Sequence, residues 1–275
     1  MPELPEVEVI KRELQPAVKD KTFSAPRLIF PGSVRAPSPA EFVNLLQGYR
    51  VIDLQRKGKY LVFYLNRGIL LVHLRMTGQL FFVGNRQVRP DYPYLRVVLP
   101  FTDHSSLCFC DKRKLGGIWL SLSKQDLPDG FINLGPDIYR QVDRQRFARM
   151  LKNRGRAMIK PLLLNQRFIS GLGNIYTDES LFSCLIHPRR QVGTLSPDEI
   201  DSLYRAICEL LNKGIDCGGA SIRDYRNAGN QPGSFQYFLK VYGRGNKPCY
   251  RCGTPVARIV VGGRGTYFCP QCQKE

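Results

Sequence analysis

No apolar run in this chain approaches the ~20 residues that span a bilayer; stretches such as Tyr60–Leu65 and Ile69-Leu70-Leu71-Val72 stop far short of it. Membrane-spanning helices are therefore not expected. The opening Met1-Pro2-Glu3-Leu4-Pro5-Glu6 places acids and prolines where a secretory leader would carry basic residues and an apolar core, so no signal peptide is expected either. Repeats and low-complexity tracts are absent. Charged residues make up 23% of the chain and hydrophobic ones 43%, a balance that excludes disorder. The 275 residues suggest two domains at ~100–200 residues each, with real cores, which excludes a small disulfide-stapled fold.

Acids are scarce. Against 23 Asp and Glu stand 41 Lys and Arg, a formal charge of +18. Such a chain reads as having an acidic partner, and phosphate-rich nucleic acid comes first because each neutralised phosphate releases counterions, although many ribosomal and membrane-surface proteins are equally basic. The excess is shared, with 19 basic and 12 acidic residues in 1–134 (+7) and 22 and 11 in 135–275 (+11), so both halves could face one polyanion. The densest stretch holds Arg140, Arg144, Arg146, Arg149, Lys152, Arg154, Arg156 and Lys160 against Asp143 alone. A solvated helix face and a phosphate-binding face both fit it.

The first half reads as strands, over 51–54, 60–65, 69–74, 79–83, 95–99 and 107–110, separated by Gly, Pro or Asn turns, which predicts a sandwich or barrel. One helix precedes them. Pro2 and Pro5 suit its first turn, Glu3, Glu6 and Glu8 complement its positive end, and Val7, Ile10, Leu14 and Val18 keep helical spacing up to an end near Asp20. Asn133-Leu134-Gly135-Pro136-Asp137 reads as a linker. Beyond it Asp143 is a candidate cap for a helix carrying Phe147, Met150 and Leu151, and Ser196-Pro197-Asp198-Glu199 is a capping-box start. Short strands and cysteines follow from Val241.

Four of the nine cysteines fall as Cys249-x2-Cys252 and Cys269-x2-Cys272 with sixteen residues between the pairs. That spacing predicts one tetrahedral zinc held by four thiolates, a closed and therefore structural site; a pair of buried or redox-active dithiols is the alternative. Cys108, Cys110, Cys184, Cys208 and Cys217 lie in apolar contexts and read as packed thiols. Between the cysteine pairs, residues 258–266 read as a hairpin with Arg264 near its glycine tip. Residues 170–179 place Gly171, Gly173 and Asn174 ahead of a helix, which is either an ordinary helix start or a phosphate-binding N-terminus. At the chain start, a Met followed by Pro is normally removed. Pro2 would then offer a secondary amine able to form an iminium with a sugar carbon, with Glu3 beside it to move protons; the same residues also simply start a helix well.

Six ordered blocks carry a resemblance across essentially the whole chain: residues 2–8, 57–61, 73–78, 171–176, 241–244 and the four-cysteine finger. On them the chain resembles the bacterial formamidopyrimidine-DNA glycosylases, which are also 8-oxoguanine glycosylases. The resemblance implies an α+β fold with an N-terminal β-sandwich domain over 2–134, a linker over 135–142, a helix–two-turn–helix domain over 143–240 and a zinc finger over 241–275, with DNA in the cleft between the halves. It implies a glycosylase and abasic-site lyase that removes oxidised purines from double-stranded DNA. Pro2 would attack the sugar C1′, Glu3 would transfer protons, and β,δ-elimination would follow. Lys59 and Arg264 match the family's hairpin lysine and finger arginine. Asn174 matches its phosphate ligand, Lys160 falls with the DNA-binding residues, and Met76, Arg113 and Leu115 match the positions that fill the gap left by the flipped base. One zinc and a cytoplasmic, nucleoid-associated monomer complete the expectation.

Two departures stand out. Leu115 replaces a usual aromatic wedge, and Asn227-Ala228-Gly229-Asn230-Gln231-Pro232-Gly233-Ser234-Phe235 differs from the usual Asp-Gly-Lys-Pro-Gly-Tyr-Phe loop, which closes over the extruded base in the family. Leu4 favours the purine-directed branch over the pyrimidine-directed one, which opens Pro-Glu-Gly-Pro-Glu. A retained Met1 would instead leave a non-catalytic DNA-binding protein.

Overall fold

The computed structural model describes residues 2–85, 92–123 and 126–275. Whether Met1 is kept therefore lies outside the described residues. The chain divides into two compact units, Met1–Asn133 with Cys217–Ser234, and Leu134–Asp216 with Phe235–Glu275.

The first unit starts with α1 (Leu4–Val18), whose Val7, Ile10, Leu14 and Val18 are fully buried, as their spacing predicts. One sheet orders β1 (Arg27–Leu28), β7 (Leu95–Pro100), β8 (Ser106–Asp111) and β6 (Gly78–Val83). The other orders β2 (Val34–Ala36), β9 (Gly117–Ser121), β5 (Ile69–His73), β4 (Tyr60–Leu65) and β3 (Val51–Lys57). Neighbours run antiparallel except β2 and β9, which are parallel. Phe63, Leu70, Val72 and Leu120 of the second sheet share one core with Leu80, Val97, Leu107 and Phe109 of the first, closed by α1, so the sandwich is present. Two short helices, α2 (Pro39–Leu46) and α3 (Asp129–Ile132), complete the N-terminal part.

All six expected strands occur, and α1 stops at Val18, two residues before the expected end. β9 was not expected, because Gly116-Gly117 at its start reads as a turn. Its Ile118 and Leu120 nevertheless pack into the core while β5 and β2 flank it.

The second unit holds α4 (Arg144–Lys152), α5 (Ile159–Leu164), α6 (Asn174–Ser183), α7 (Pro197–Asp216) and a hairpin of β10 (Ala257–Val261) and β11 (Arg264–Phe268). The expected caps are in place. The Arg146 amide donates to Asp143 Oδ1 at 2.7 Å, and at the start of α7 the Glu199 amide donates to Ser196 Oγ (3.2 Å) while the Ser196 amide donates back to Glu199 Oε2 (2.8 Å). On α4, Phe147 and Leu151 are buried while Arg144, Arg146, Arg149 and Lys152 are exposed, so the half of the basic run that falls on this helix lies off its buried side.

Residues 143–240 do not stay together. After α7 the chain runs through the first unit as Cys217–Ser234 and returns at Phe235. The physical reason lies in α1. Glu6 and Glu13 accept hydrogen bonds from the amides of Ala220 and Ala228 at 2.8 Å each.

The first two turns of α1 are buried all round, although Glu6 and Glu8 lie in them. A charge at such depth needs partners. Glu8 has Arg56, whose Nε donates to Glu8 Oε2 at 2.8 Å from a side chain with no exposure at all, and the half-exposed Arg12 at 3.2 Å. Breaking such a pair strands the other charge. Arg56→Met should therefore cost about 3 kcal/mol, whereas Glu8→Leu with Arg56→Met should recover most of it. Urea unfolding followed by the single tryptophan, Trp119 in β9, reads this in the first unit alone. A single variant with the parent's midpoint would show that the pair does not hold α1 to β3.

Candidate functional site

Pro2 and Glu3 immediately precede α1, and both are buried, Glu3 with 2% exposure. The Glu3 amide donates to Glu6 Oε2 at 2.7 Å, while Glu6 Oε1 takes the Ala220 amide. One carboxylate thus fixes the backbone beside Pro2 and a distant segment together. The Tyr225 hydroxyl reaches the Glu6 carbonyl at 3.4 Å, and burial, with Glu6 and Glu13 nearby, holds its phenol well above the ordinary pKa.

Lys59 sits in the two-residue turn between β3 and β4, where Gly58 supplies a positive φ of 57°. Arg56 bridges this turn to α1. Its Nη1 donates to the Gly58 carbonyl at 2.8 Å while its Nε holds Glu8. Beneath the turn, His73 pairs across the sheet with Tyr60 and has a pKa lowered to about 3 by burial, then by Arg75 and Lys59. It is therefore a neutral ring at working pH, and its Nδ1 accepts the Arg75 amide at 3.0 Å.

Met76 is 40% exposed in the turn between β5 and β6, and Leu115 is 45% exposed, with Arg113 also exposed, in the turn between β8 and β9. Asp111 ties the two turns together from a position only 1% exposed. Its Oδ1 accepts Thr77 Oγ1 (2.6 Å) and the Arg113 amide (3.1 Å), and its Oδ2 accepts the Gly116 amide (2.7 Å). Sequence reasoning did not single out Asp111. Its signal is an acid at the end of a strand, directly before Lys112-Arg113-Lys114.

In the second unit Asn174 opens α6. Its Nδ2 donates to the Gly265 carbonyl at 2.8 Å, and its buried Oδ1 has no hydrogen-bond partner among the described residues. Arg264 is exposed at the start of β11, after a turn in which Gly262 and Gly263 both have positive φ (56° and 74°). Any side chain at 262 would press on Pro161, its Cβ 2.8 Å from the ring. Lys160 departs from the expectation. Rather than lying on the DNA-facing surface it is fully buried, with Nζ donating to Asp178 Oδ1 (2.6 Å), Thr266 Oγ1 (2.7 Å) and the Gly265 carbonyl (3.3 Å). Reading it as part of a basic run hid this, because Asp178 arrives from another helix.

Asp178 and its neighbour Glu179 are the further residues that sequence reasoning missed. Asp178 Oδ2 accepts the Tyr267 amide at 2.9 Å, and Glu179 accepts the amides of Lys240, Val241 and Tyr242 at 2.8–2.9 Å. Burial raises the pKa of both carboxyls against the lowering by these donors and, for Asp178, by Lys160. Together they hold both arms of the cysteine finger to α6. The four thiols of Cys249, Cys252, Cys269 and Cys272 lie within 4.8 Å of one another, with Cys249–Cys272 at 4.0 Å and Cys252–Cys269 at 3.5 Å. Those spacings bracket the edge of about 3.8 Å that a tetrahedron with ~2.3 Å zinc–sulfur bonds requires, so the ligand set fits zinc.

Three family models match: the formamidopyrimidine-DNA glycosylase N-terminal domain over residues 1–118, the H2TH domain of the same enzymes over 134–226, and the zinc finger found in FPG and IleRS over 246–274. Formamidopyrimidine-DNA glycosylase of Pelotomaculum thermopropionicum is 41% identical, the match covering 100% of this chain and 99% of that one. Among solved structures, a Lactococcus lactis FPG mutant in complex with Fapy-dG-containing DNA aligns with a TM-score of 0.88 at 34% identity, and MutM in complex with carbocyclic 8-oxo-G-containing DNA at 0.87 and 34%; each alignment covers 100% of both chains.

The finger therefore carries one structural zinc. Metal analysis of freshly prepared protein should return about one zinc per chain, and Cys269→Ser should remove most of it. Less than about half an equivalent in the folded parent would rule against the four-thiolate site.

Proposed function

The chain belongs to the formamidopyrimidine-DNA glycosylase family, and from that premise we propose that it excises oxidised purines from double-stranded DNA in base excision repair and then cleaves the strand at the emptied sugar. The observation that carries the mechanism is the buried Pro2–Glu3 pair, with the Glu3 amide fixed on Glu6. Once Met1 is removed, the ring nitrogen of Pro2 is a secondary amine. Its lone pair forms a bond to C1′ as the glycosidic bond breaks and its electrons leave with the base. The nitrogen then loses its proton, and its lone pair opens the C1′–O4′ bond, whose electrons leave with O4′ as that oxygen takes up a proton. The iminium so formed is cationic without a proton on nitrogen, which acidifies the C2′ hydrogen and opens the way to β- and then δ-elimination. Glu3 serves as the proton carrier for these steps.

The remaining site residues divide between strand and lesion. Lys59 and Arg264 face the phosphates beside the reacting sugar, and Asn174 at the start of α6 takes a further phosphate with the helix amides. Lys160 acts as a positioning residue, since it and Asn174 share the Gly265 carbonyl next to Arg264. Met76, Arg113 and Leu115 enter the space left by the flipped base. No helix among the described residues is long and apolar enough to cross a membrane, and the reading places the protein on the nucleoid as a monomer.

Borohydride should trap the protein on duplex DNA containing 8-oxoguanine, with the adduct mapping to residue 2; an adduct on Lys59 would overturn the assignment. A second measurement concerns the gap. Extruding a base costs a few kcal/mol, part of which Met76 offsets, so Met76→Ala should slow excision of paired 8-oxoguanine about tenfold. Cleavage at a ready-made abasic site and the melting temperature should hardly change. Parallel loss of both activities with a melting drop of several degrees would place Met76 in the fold rather than in the duplex.

A further inference from the structure

Cys217–Ser234 is an eighteen-residue excursion from the second unit whose neck is pinched shut. The Ser234 amide donates to the Cys217 carbonyl at 2.8 Å, and a Cβ on Gly233 would collide with the carbonyls of Gly218 and Gly219. Both of these glycines have positive φ, and a Cβ on Gly219 would lie 2.9 Å from Glu6 Cγ. The neck thus lies directly against the carboxylate that also holds the Glu3 amide.

Beyond the neck the excursion has two pinned shoulders and an exposed tip. Ala220 and Tyr225 are held by Glu6, and between them Ile222, Arg223 and Asp224 face solvent. At the other shoulder Asn227 uses both ends of its amide: Oδ1 accepts the Gln231 amide (2.7 Å) to fold a tight turn, and Nδ2 donates to Glu13 Oε1 (2.7 Å). Glu13 Oε2 takes the Ala228 amide at 2.8 Å, while the Ala228 carbonyl accepts the Phe82 amide of β6 at 3.1 Å. Glu13 itself is solvent-exposed and takes no part in the core.

We propose that Glu13 is a positioning residue for base recognition: with Glu6 it clasps the excursion along α1 so that the tip at 222–224 stands as a wall beside Pro2 and Glu3, against the base being removed. Two contacts support the placement. The Glu6 carboxylate takes the amides of both Glu3 and Ala220, and Gln79 of β6 donates its side-chain amide to the Asp224 carbonyl, which ties the tip to the same unit that carries Pro2. The clasp rests on the glycosylase reading above, and it adds a step-specific consequence. Excision requires a base against the wall, whereas elimination at a ready-made abasic site has none.

Full-length Glu13→Ala and Glu13→Gln, compared with the parent, test it in two arms. In DNA-free protein, hydrogen exchange over residues 220–231 should accelerate in Glu13→Ala and less so in Glu13→Gln, which keeps one acceptor oxygen. The other arm is kinetic. Excision of 8-oxoguanine should fall about fivefold in kcat/KM in Glu13→Ala, with partial rescue in Glu13→Gln, while abasic-site cleavage and melting temperature stay at parent values. Unchanged exchange, or excision and cleavage falling in the same proportion, overturns the proposal. Because the exchange arm uses no substrate, a parent that failed to excise 8-oxoguanine would count against the glycosylase reading and leave the clasp to be judged by exchange.

Discussion

The first unit is organised by burying carboxylates on the opening turns of α1 and satisfying them with backbone amides and one arginine. A helix enclosed on all sides is normally apolar, since each desolvated charge without a partner costs several kcal/mol. Here Glu6 is surrounded by the amides of Glu3 and Ala220, and Glu8 by Arg56 and Arg12. The arrangement fixes three things to one rigid rod: the chain terminus, the turn carrying Lys59, and the Cys217–Ser234 excursion. The side chains proposed above to act on the sugar, whose chemistry tolerates errors of only a few tenths of an ångström, are thereby placed by a helix rather than by loops.

The second unit repeats the device on α6. Asp178 and Glu179 are nearly inaccessible, and between them they bind four backbone amides and the Lys160 ammonium. The finger is too small to build a core of its own, with only a few apolar side chains such as Val241, Val256 and Phe182 packed around its cysteines. Zinc closes one end of it, and the two acids attach it to the helix whose N-terminus carries Asn174.

Much of the fold was legible from alternation and spacing. The strands from β3 to β8, the apolar stripe of α1 and both helix caps depend on neighbours in sequence, and so did the cysteine pairs. What was hidden depends on partners far along the chain. Lys160 looks like one cation of a run until Asp178 is brought against it. Residues 217–234 look like the tail of a helical domain because the carboxylates that capture their amides lie more than two hundred residues earlier. Asp111 was missed for a related reason, since its three bonds go to turns on either side of it in space and only two of those partners are near in sequence. The site residues themselves were named through family resemblance; the buried acids that position them had no such motif to announce them.

Asp111 separates shape from identity in the loop that carries position 115. The loop's course is set by backbone amides at 113 and 116 bonding to a buried carboxylate, and the side chain at 115 contributes nothing to that anchorage. Selection can therefore exchange the residue at the tip, leucine for a ring or the reverse, without the protein having to refold around the change. Under the role proposed for Leu115, such a position is a replaceable tool on a fixed handle, open to retuning while the chemistry elsewhere stays as it was.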